Sequence, residues 1–176
     1  MNTSTMKQRP RSCARREKEA GVALVEFALV LPVLLLLVLG ILDFGRAFNY
    51  WIDETHLANQ ASRFTVVDFN PGASSNPAQT LQTFVKNQAN TTELRDGNGG
   101  TSAGVVAPLE VCVDFYGKTA ATVVVGDPVR VTVKSVFRFL PFIGSFADTS
   151  IKATSTMRLE AKPTSYLLSD NIGLCT

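Results

Sequence analysis

The sequence predicts an α+β protein in which a long N-terminal helix crosses a membrane, continues as an amphipathic helix and packs on a small antiparallel β-sheet. Two observations predict it: a continuous apolar segment near the N-terminus, and three segments of alternating apolar and polar residues in the second half. With 176 residues the chain has room for one modest domain besides the helix, which excludes a large multidomain enzyme.

A basic leader precedes the apolar segment. Six basic residues lie between Lys7 and Lys18, opposed by Glu17 and Glu19 alone. After Gly21 the chain has 11 basic and 13 acidic residues. Because this part has no surplus of positive charge for a polyphosphate, we expect no nucleic-acid partner.

Residues 22–42 form the apolar segment, in which Glu26 is the only charged residue. A helix rises roughly 1.5 Å per residue, so the segment reaches about 31 Å and can span the hydrocarbon core of a bilayer. Membrane lipid is therefore an expected partner. Basic residues are concentrated before the segment, which predicts a single pass with a cytoplasmic N-terminus and the C-terminal domain outside.

Two simpler interpretations stay open. A cleaved secretory signal has a shorter apolar stretch and ends in a small-x-small site, for which Gly45-Arg46-Ala47 is a poor candidate. A signal anchor that is never cleaved also fits. Neither gives Glu26 a role, although a carboxylate at the centre of a membrane costs about 2.5–3.5 kcal/mol on insertion scales. One alternative is that Glu26 lies near the cytoplasmic end, reaches the headgroups and is tolerated without a function.

The surroundings of Glu26 carry a resemblance to a known family. Gly21 is followed by VALVEF, so Glu26 and Phe27 would be the fifth and sixth residues of a chain cut after Gly21. The run GVALVEFALVLPVLLLLVLGILDFGRAF resembles the opening of the TadE-like pseudopilins of tight-adherence (Flp-type IV) pilus systems. The segments GDPVRVTVKSVFRFLPFIG and TSTMRLEA look like the C-terminal strands of that family, and the arrangement is pilin-like.

The resemblance implies a processing event and a set of partners. A prepilin peptidase would cut between Gly21 and Val22, and the other partners would be pilins, pseudopilins and the inner-membrane pilus assembly machinery. It implies location in the bacterial inner membrane, with possible incorporation into a surface pilus. Flp major pilins usually carry Tyr where this chain has Phe27 and are far shorter, so the resemblance points to a minor subunit. The alternative is an uncleaved single-pass envelope protein whose exported domain binds a ligand or surface.

The processing site has a chemical rationale. Gly21 lacks a Cβ, which lets a protease approach the backbone closely. Cleavage creates a positive amine at Val22, and Glu26 can offset it within one helix or between subunits. We therefore expect Glu26 to be an assembly determinant. Pro32 removes one helical hydrogen bond, and the resulting kink is either tolerated or used in subunit packing.

These observations divide the chain into a leader (1–21), a transmembrane helix (22–42), a helix extension (43–66) and an exported α+β domain (67–176). In the extension an apolar stripe is predicted to face the sheet, and a polar stripe is predicted to be solvated. Tyr50 and Trp51 are expected near the membrane interface. The apolar stripe consists of Phe44, Ala47, Phe48, Trp51 and Ile52, and the polar stripe of Asn49, Asp53, His56, Gln60 and Arg63.

The segment 68–77 is rich in Pro, Gly, Ser and Asn and interrupts the helix. Asn76 and Pro77 are predicted to cap a short second helix that carries Leu81, Phe84 and Val85. The following segment, 90–104, is predicted to be an exposed mobile loop.

Three β-strands are predicted from period-two alternation, with turns at Gly and Pro residues between them. The residues predicted to face the core are Leu109, Val111, Val113 and Phe115 in the first strand, Val129, Val131, Val133, Phe137 and Phe139 in the second, and Ile151, Ala153, Met157 and Leu159 in the third.

Cys112 and Cys175 are the two cysteines outside the leader, which holds Cys13. In an oxidising compartment we expect them to form a disulfide that straps the C-terminal tail over the outer face or edge of the sheet. Two free thiols or an intersubunit bond remain as alternatives.

No catalytic, metal or cofactor motif is recognisable, and we expect no enzymatic activity. Gly117-Lys118-Thr119 matches the end of a phosphate-binding loop, but Cys112 stands where its first glycine belongs. His56 belongs to the polar stripe and is expected to be solvated.

Overall fold

The computed structural model describes residues 13–75, 77–97, 104–139 and 148–164, with only the backbone of residues 13–20. The predicted α+β class is confirmed. The elements are α1 (Cys13–Val66), a short 3-10 helix (Pro71–Ser74), α2 (Leu81–Asn87), α3 (Thr92–Asp96), β1 (Gly104–Asp114), β2 (Pro128–Arg138) and β3 (Thr149–Arg158). They form two compact units, an N-terminal unit (Met1–Ile41) and an α+β unit (Leu42–Thr176), and α1 contributes to both.

The sheet is antiparallel with the strand order β1-β2-β3. Val133 in the central strand pairs with Val111 on one side and Ala153 on the other, and all three side chains are buried. Alternation places the other predicted core residues on the same face, as expected for a sheet with one covered side. Phe139, Ile151 and Met157 are partly buried at the margin of this core.

The last part of α1 covers this face of the sheet, but with a different stripe from the predicted one. The buried side of the helix carries Tyr50, Leu57, Ala58 and Ala61 together with several polar residues. The prediction that Phe44, Phe48, Trp51 and Ile52 face the sheet is wrong, because all four are exposed. Short side chains such as Ala58 and Ala61 let the helix lie close to the sheet at these positions.

Two predictions for the connection between α1 and the sheet need correction. The N-cap of α2 is Thr80, whose hydroxyl accepts a hydrogen bond from the backbone N–H of Thr83, whereas Pro77 lies outside the helix. Asn76 lies outside the described residues. The supposed mobile loop contains α3, which buries Leu94 completely.

Gly97 ends α3 in the left-handed conformation, with φ +74°. A Cβ on this residue would lie 2.5 Å from the backbone of Ala107 in β1. Only glycine therefore permits the close approach of this helix end to the sheet.

Cys112 lies on β1 between the core residues Val111 and Val113, so its side chain is on the other face of the sheet, and it is buried there. It is disulfide-bonded. Its expected partner, Cys175, lies outside the described residues, so the pairing of these two cysteines stays a prediction. Cys13 begins α1.

Candidate functional site

The residues predicted to act in processing and assembly lie on one uninterrupted stretch of α1. Gly21, Val22, Glu26 and Phe27 are all exposed, and no atom lies within 4 Å of a Cβ built on Gly21. Glu26 follows Val22 by four residues, so the two positions share one face of the helix. The structure thus leaves both the Gly21-Val22 peptide bond and the Glu26 carboxylate uncovered by the described residues.

Pro32 lies inside α1, and the helix continues on both sides of it. Proline lacks the N–H that donates to the preceding turn, so the helix lacks one backbone hydrogen bond here. Membrane helices tolerate such a position better than helices in water.

The helix from Gly21 to Val66 contains a segment that is long and apolar enough to span a membrane, and none of that segment is buried inside the protein. An apolar core helix of a water-soluble domain would be covered by the rest of the chain. Here the apolar side chains from Val22 to Val38 are exposed on every side. This uniform exposure is typical of a helix with lipid or other helices around it.

In the α+β unit, α1 is held by polar contacts centred on Glu93 at the start of α3. Its carboxylate accepts hydrogen bonds from the Tyr50 hydroxyl at 2.6 Å, from the Arg46 guanidinium at 3.2 Å and from the backbone N–H of Val105 in β1 at 3.1 Å. Burial and the hydrogen bond to Glu93 raise the pKa of Tyr50 to about 12. Tyr50 therefore fixes α1 to the α+β unit, and its predicted place near the membrane interface stays a prediction.

Three carboxylates of α1 are buried, those of Asp43, Asp53 and Glu54. Asp53 accepts two hydrogen bonds from Asn90, one from its backbone N–H at 3.0 Å and one from its side chain at 2.6 Å. This contact joins the helix to the loop before α3, so the predicted solvation of Asp53 is wrong.

Glu54 is fully buried against the sheet, where the Ser135 hydroxyl of β2 donates to its carboxylate. Burial raises the pKa of Glu54 to about 8, and the nearby Asp53 adds to the rise. The Glu54 side chain therefore keeps its proton at neutral pH.

A groove of about 390 Å³ lies beside these residues and is lined by His56, Gln60 and Gln88, among others. His56 is exposed, and the nearest acid, Asp53, has both oxygens engaged by Asn90. Among the described residues, the lining of the groove contains no pair of a nucleophile and a base that could activate it.

Four apolar residues of α1 are exposed on the side of the helix turned away from the sheet: Phe44, Phe48, Trp51 and Ile52. We call them the outer aromatic stripe. The rings of Phe48 and Trp51 contact each other with centroids 5.6 Å apart. Sequence analysis found the stripe through its helical spacing but placed it on the wrong face.

The functional residues that sequence analysis missed are Tyr50, Glu54 and Glu93. No local motif marks them, because their side-chain partners are 43 to 81 residues away in the chain. The one available signal is the periodicity of small residues, Ala47, Ala58 and Ala61, which share the sheet-facing side of the helix.

An exposed apolar helix joined to a small α+β unit is typical of a membrane-anchored protein. Residues 21–63 match the family model described as TadE-like protein, which confirms the resemblance seen in the sequence. The match covers this part of the chain, which is similar to the TadE-like family, a structural family associated with tight-adherence pili. No curated protein and no solved structure matches the chain.

Proposed function

We propose that the protein is a minor pilin or pseudopilin in the assembly of a tight-adherence pilus. The observation that carries the proposal is the position of the TadE-like match, which begins at Gly21. The exposed apolar segment of α1 follows immediately, and Glu26 is its only charged residue. In this proposal a prepilin peptidase removes residues 1–21, and the helix then joins those of other pilins and pseudopilins at the inner-membrane assembly machinery.

The geometry of α1 supports the processing step. The Gly21-Val22 bond lies within the helix, so cleavage requires the helix to open locally. Glycine lowers helix stability by about 1 kcal/mol relative to alanine, which favours opening at this residue. No side chain packs on Gly21, so opening disrupts no tertiary contact of the described residues.

The role proposed for Glu26 follows from charge. A new amine at Val22 and a carboxylate at Glu26, each isolated in an apolar medium, are costly, and pairing them reduces both costs. No basic side chain lies between Val22 and Leu42. After processing, the amine of Val22 is therefore the positive group in this segment that can pair with Glu26.

Substitution of Glu26 tests this role. The variant Glu26→Gln keeps the size of the side chain and removes its charge. We expect the peptidase to cut it, whereas its incorporation into pilus complexes falls by about tenfold or more, because a buried amine is left unpaired. Glu160→Gln, an exposed acid after β3, is the matched control. Incorporation of the Glu26 variant at the level of this control would refute the assembly role.

The second candidate function is an uncleaved single-pass envelope protein whose α+β unit binds a ligand or surface. The apolar helix supports it equally, because a signal anchor needs the same length and hydrophobicity. The two candidates differ in the first residue of the finished chain, which is Val22 for a processed subunit and Met1 for an anchor.

A further inference from the structure

The sheet has a second face, turned away from α1, which we call the outer face. Cys112 of β1, Thr132 of β2 and Thr154 of β3 stand side by side on it. Cys112 is 2% exposed and Thr132 8%, whereas Thr154 is exposed. Cys112 and Thr154 both lie on edge strands, so their place in the sheet does not explain the difference. A cover therefore lies over the β1–β2 half of the outer face and leaves the β3 half open.

The described elements do not supply this cover. The helix α1 packs on the opposite face, and α2 and α3, which contact β1, contribute Leu81 and Leu94 to the core on that side. On the outer face, the guanidinium of Arg130 lies 4.7 Å from the ring centroid of Tyr116. Tyr116 thus covers the neighbouring row, in which Asp114 pairs with Arg130. The cover of Cys112 must then come from another part of the chain.

The sulfur of Cys112 is bonded to a second cysteine. The Cα atoms of bonded cysteines lie about 4.4–6.8 Å apart, so the backbone that carries the partner runs over the outer face next to Cys112. The chain has three cysteines, and Cys13 precedes the apolar segment. In a membrane-anchored chain the bilayer separates Cys13 from the α+β unit, which leaves Cys175 as the partner within the chain.

The segment that ends at Cys175 is long enough to reach this position. It starts after Thr164, whose backbone N–H donates to the Asp68 carboxylate at 2.8 Å, close to the end of α1. The 11 residues from 165 to 175 span up to roughly 36–40 Å when extended. Neighbouring strands are about 4.8 Å apart, so β3 and β1 are separated by roughly 10 Å. The segment can therefore pass around the sheet from the side of α1 to the outer face.

We infer that residues 165–175 form a strap over the β1–β2 half of the outer face, closed by a disulfide between Cys112 and Cys175. The composition of the segment fits this place, because it has several large apolar side chains to bury and Asp170 is its only charged residue. The apolar residues are Tyr166, Leu167, Leu168, Ile172 and Leu174. The strap excludes other chains from this half of the face, so the β3 half is the part that stays open to a partner.

Closing the strap is an oxidation. As the S–S bond forms, the two thiols lose two electrons and two protons, and the disulfide of an exported thiol oxidase takes them up and becomes a dithiol. Disulfides form and persist in oxidising compartments outside the cytoplasm. The strap therefore closes after the α+β unit has crossed the membrane, and a thiol oxidase is the partner that this step requires.

Peptide mapping of the full chain tests the bond, after extraction from the membrane with all free thiols blocked. Without reductant, we expect a linked species that joins the peptide of Cys112 to the peptide of Cys175, in a protein with the mass of one chain. Reduction should release the two peptides. Two blocked thiols, a bond from Cys112 to Cys13, or a bond between two chains would each overturn the proposal.

Limited proteolysis tests whether the bond holds the segment on the sheet. Chymotrypsin cuts after aromatic residues and leucine, so mass spectrometry can follow cleavage at Tyr166. We expect Cys175→Ser and Cys112→Ser each to raise the rate of this cleavage about tenfold or more, and the double variant to raise it no further, because all three remove one bond. Cys13→Ser is the matched control and should leave the rate unchanged.

Cleavage after Phe137, which is fully buried, separates release of the strap from unfolding. It should stay slow in Cys175→Ser if the sheet is folded. An unchanged rate at Tyr166 in Cys175→Ser would overturn the strap, and the peptide map tests the bond in the natural protein even where this variant unfolds.

The strap does not depend on the proposed pilus function. Cleavage at Gly21 and pilus incorporation measure that function, whereas the peptide map measures the bond, also in a chain that keeps its leader. A linked chain that still begins at Met1 refutes the pilus function alone. A chain that begins at Val22 and has free thiols at Cys112 and Cys175 refutes this inference alone.

Discussion

Residues 22–41 and residues 43–66 belong to one helix, but the relation between the polarity of a side chain and its burial differs between the two regions. In the first region every side chain is apolar except Glu26, and the region is exposed along almost its whole length. In the second region several large apolar side chains, such as Phe48, are exposed, whereas Glu54 is fully buried. The difference shows that apolarity alone does not identify the buried face of this helix.

The reason lies in what each region contacts. A membrane offers no hydrogen-bond partners, so a helix inside it is apolar on all sides. The α+β unit supplies hydrogen-bond partners, Ser135 of the sheet for Glu54 and Glu93 of α3 for Tyr50, so polar side chains of α1 can be buried there.

The largest expected effect contrasts the core between the second region and the sheet with the exposed face of that region. Phe137→Ala removes a fully buried ring that contacts the rings of Tyr50 and Phe139. We expect the free energy of unfolding to fall by about 3–5 kcal/mol. Phe48→Ala removes a ring of the same type from the exposed face and should change it by less than about 0.5 kcal/mol. Denaturant titration of the full chain in detergent micelles measures both, and equal losses would mean that the faces are assigned wrongly.

A charge placed in each region tests where the membrane segment ends. Val33→Arg puts a cation near the middle of residues 22–42 and should cost about 2.5–3.5 kcal/mol of insertion free energy. Trp51→Arg puts the same side chain beyond the segment and should leave insertion unchanged. The measurement is the fraction of each variant that stays in the membrane during alkaline extraction. Loss of both variants would place residue 51 inside the membrane.

Tyr50→Phe tests the polar attachment of α1 to the sheet. The substitution removes the hydroxyl that donates to the Glu93 carboxylate at 2.6 Å and keeps the ring. A hydrogen bond to a charged group contributes about 1.5–3 kcal/mol, so we expect a loss of that size in the same titration. A loss below about 0.5 kcal/mol would show that the Glu93 network does not hold the helix.

Glu54 makes stability depend on pH in the opposite direction to an ordinary carboxylate. Its pKa is about 8 in the fold, above the ordinary value of 4.5. Between these values the unfolded chain has lost this proton and the folded chain keeps it, so the free energy of unfolding falls as pH rises. The slope reaches at most about 1.4 kcal/mol per pH unit.

Glu54→Gln, which has no proton to lose, should remove this slope and be more stable than the natural protein at pH 8. Glu160→Gln is the exposed control and should leave the slope unchanged. A flat profile for the natural protein between pH 5 and pH 8 would contradict the buried, protonated state of Glu54.

Local patterns were sufficient to predict the sheet. Alternation placed Val111, Val133 and Ala153 on one face, because successive side chains of a strand point to opposite faces of the sheet. The apolar length of residues 22–42 predicted the membrane helix in the same local way.

The face of α1 and the position of α3 could not be predicted locally. Which side of a helix meets a sheet depends on distant partners, such as Ser135 for Glu54 and Val105 for Glu93. The start of α2 was missed for a smaller reason, since Thr80 and Asn76 are both good N-caps and the sequence alone did not separate them.

The most direct test of the pilus function is the identity of the first residue of the finished protein. Intact mass and N-terminal sequencing of the membrane-extracted protein, from cells with and without an active prepilin peptidase, determine it. Our account predicts a chain that begins at Val22 when the peptidase is active and retains the basic leader when it is not. A protein that begins at Met1 in both cells would contradict it.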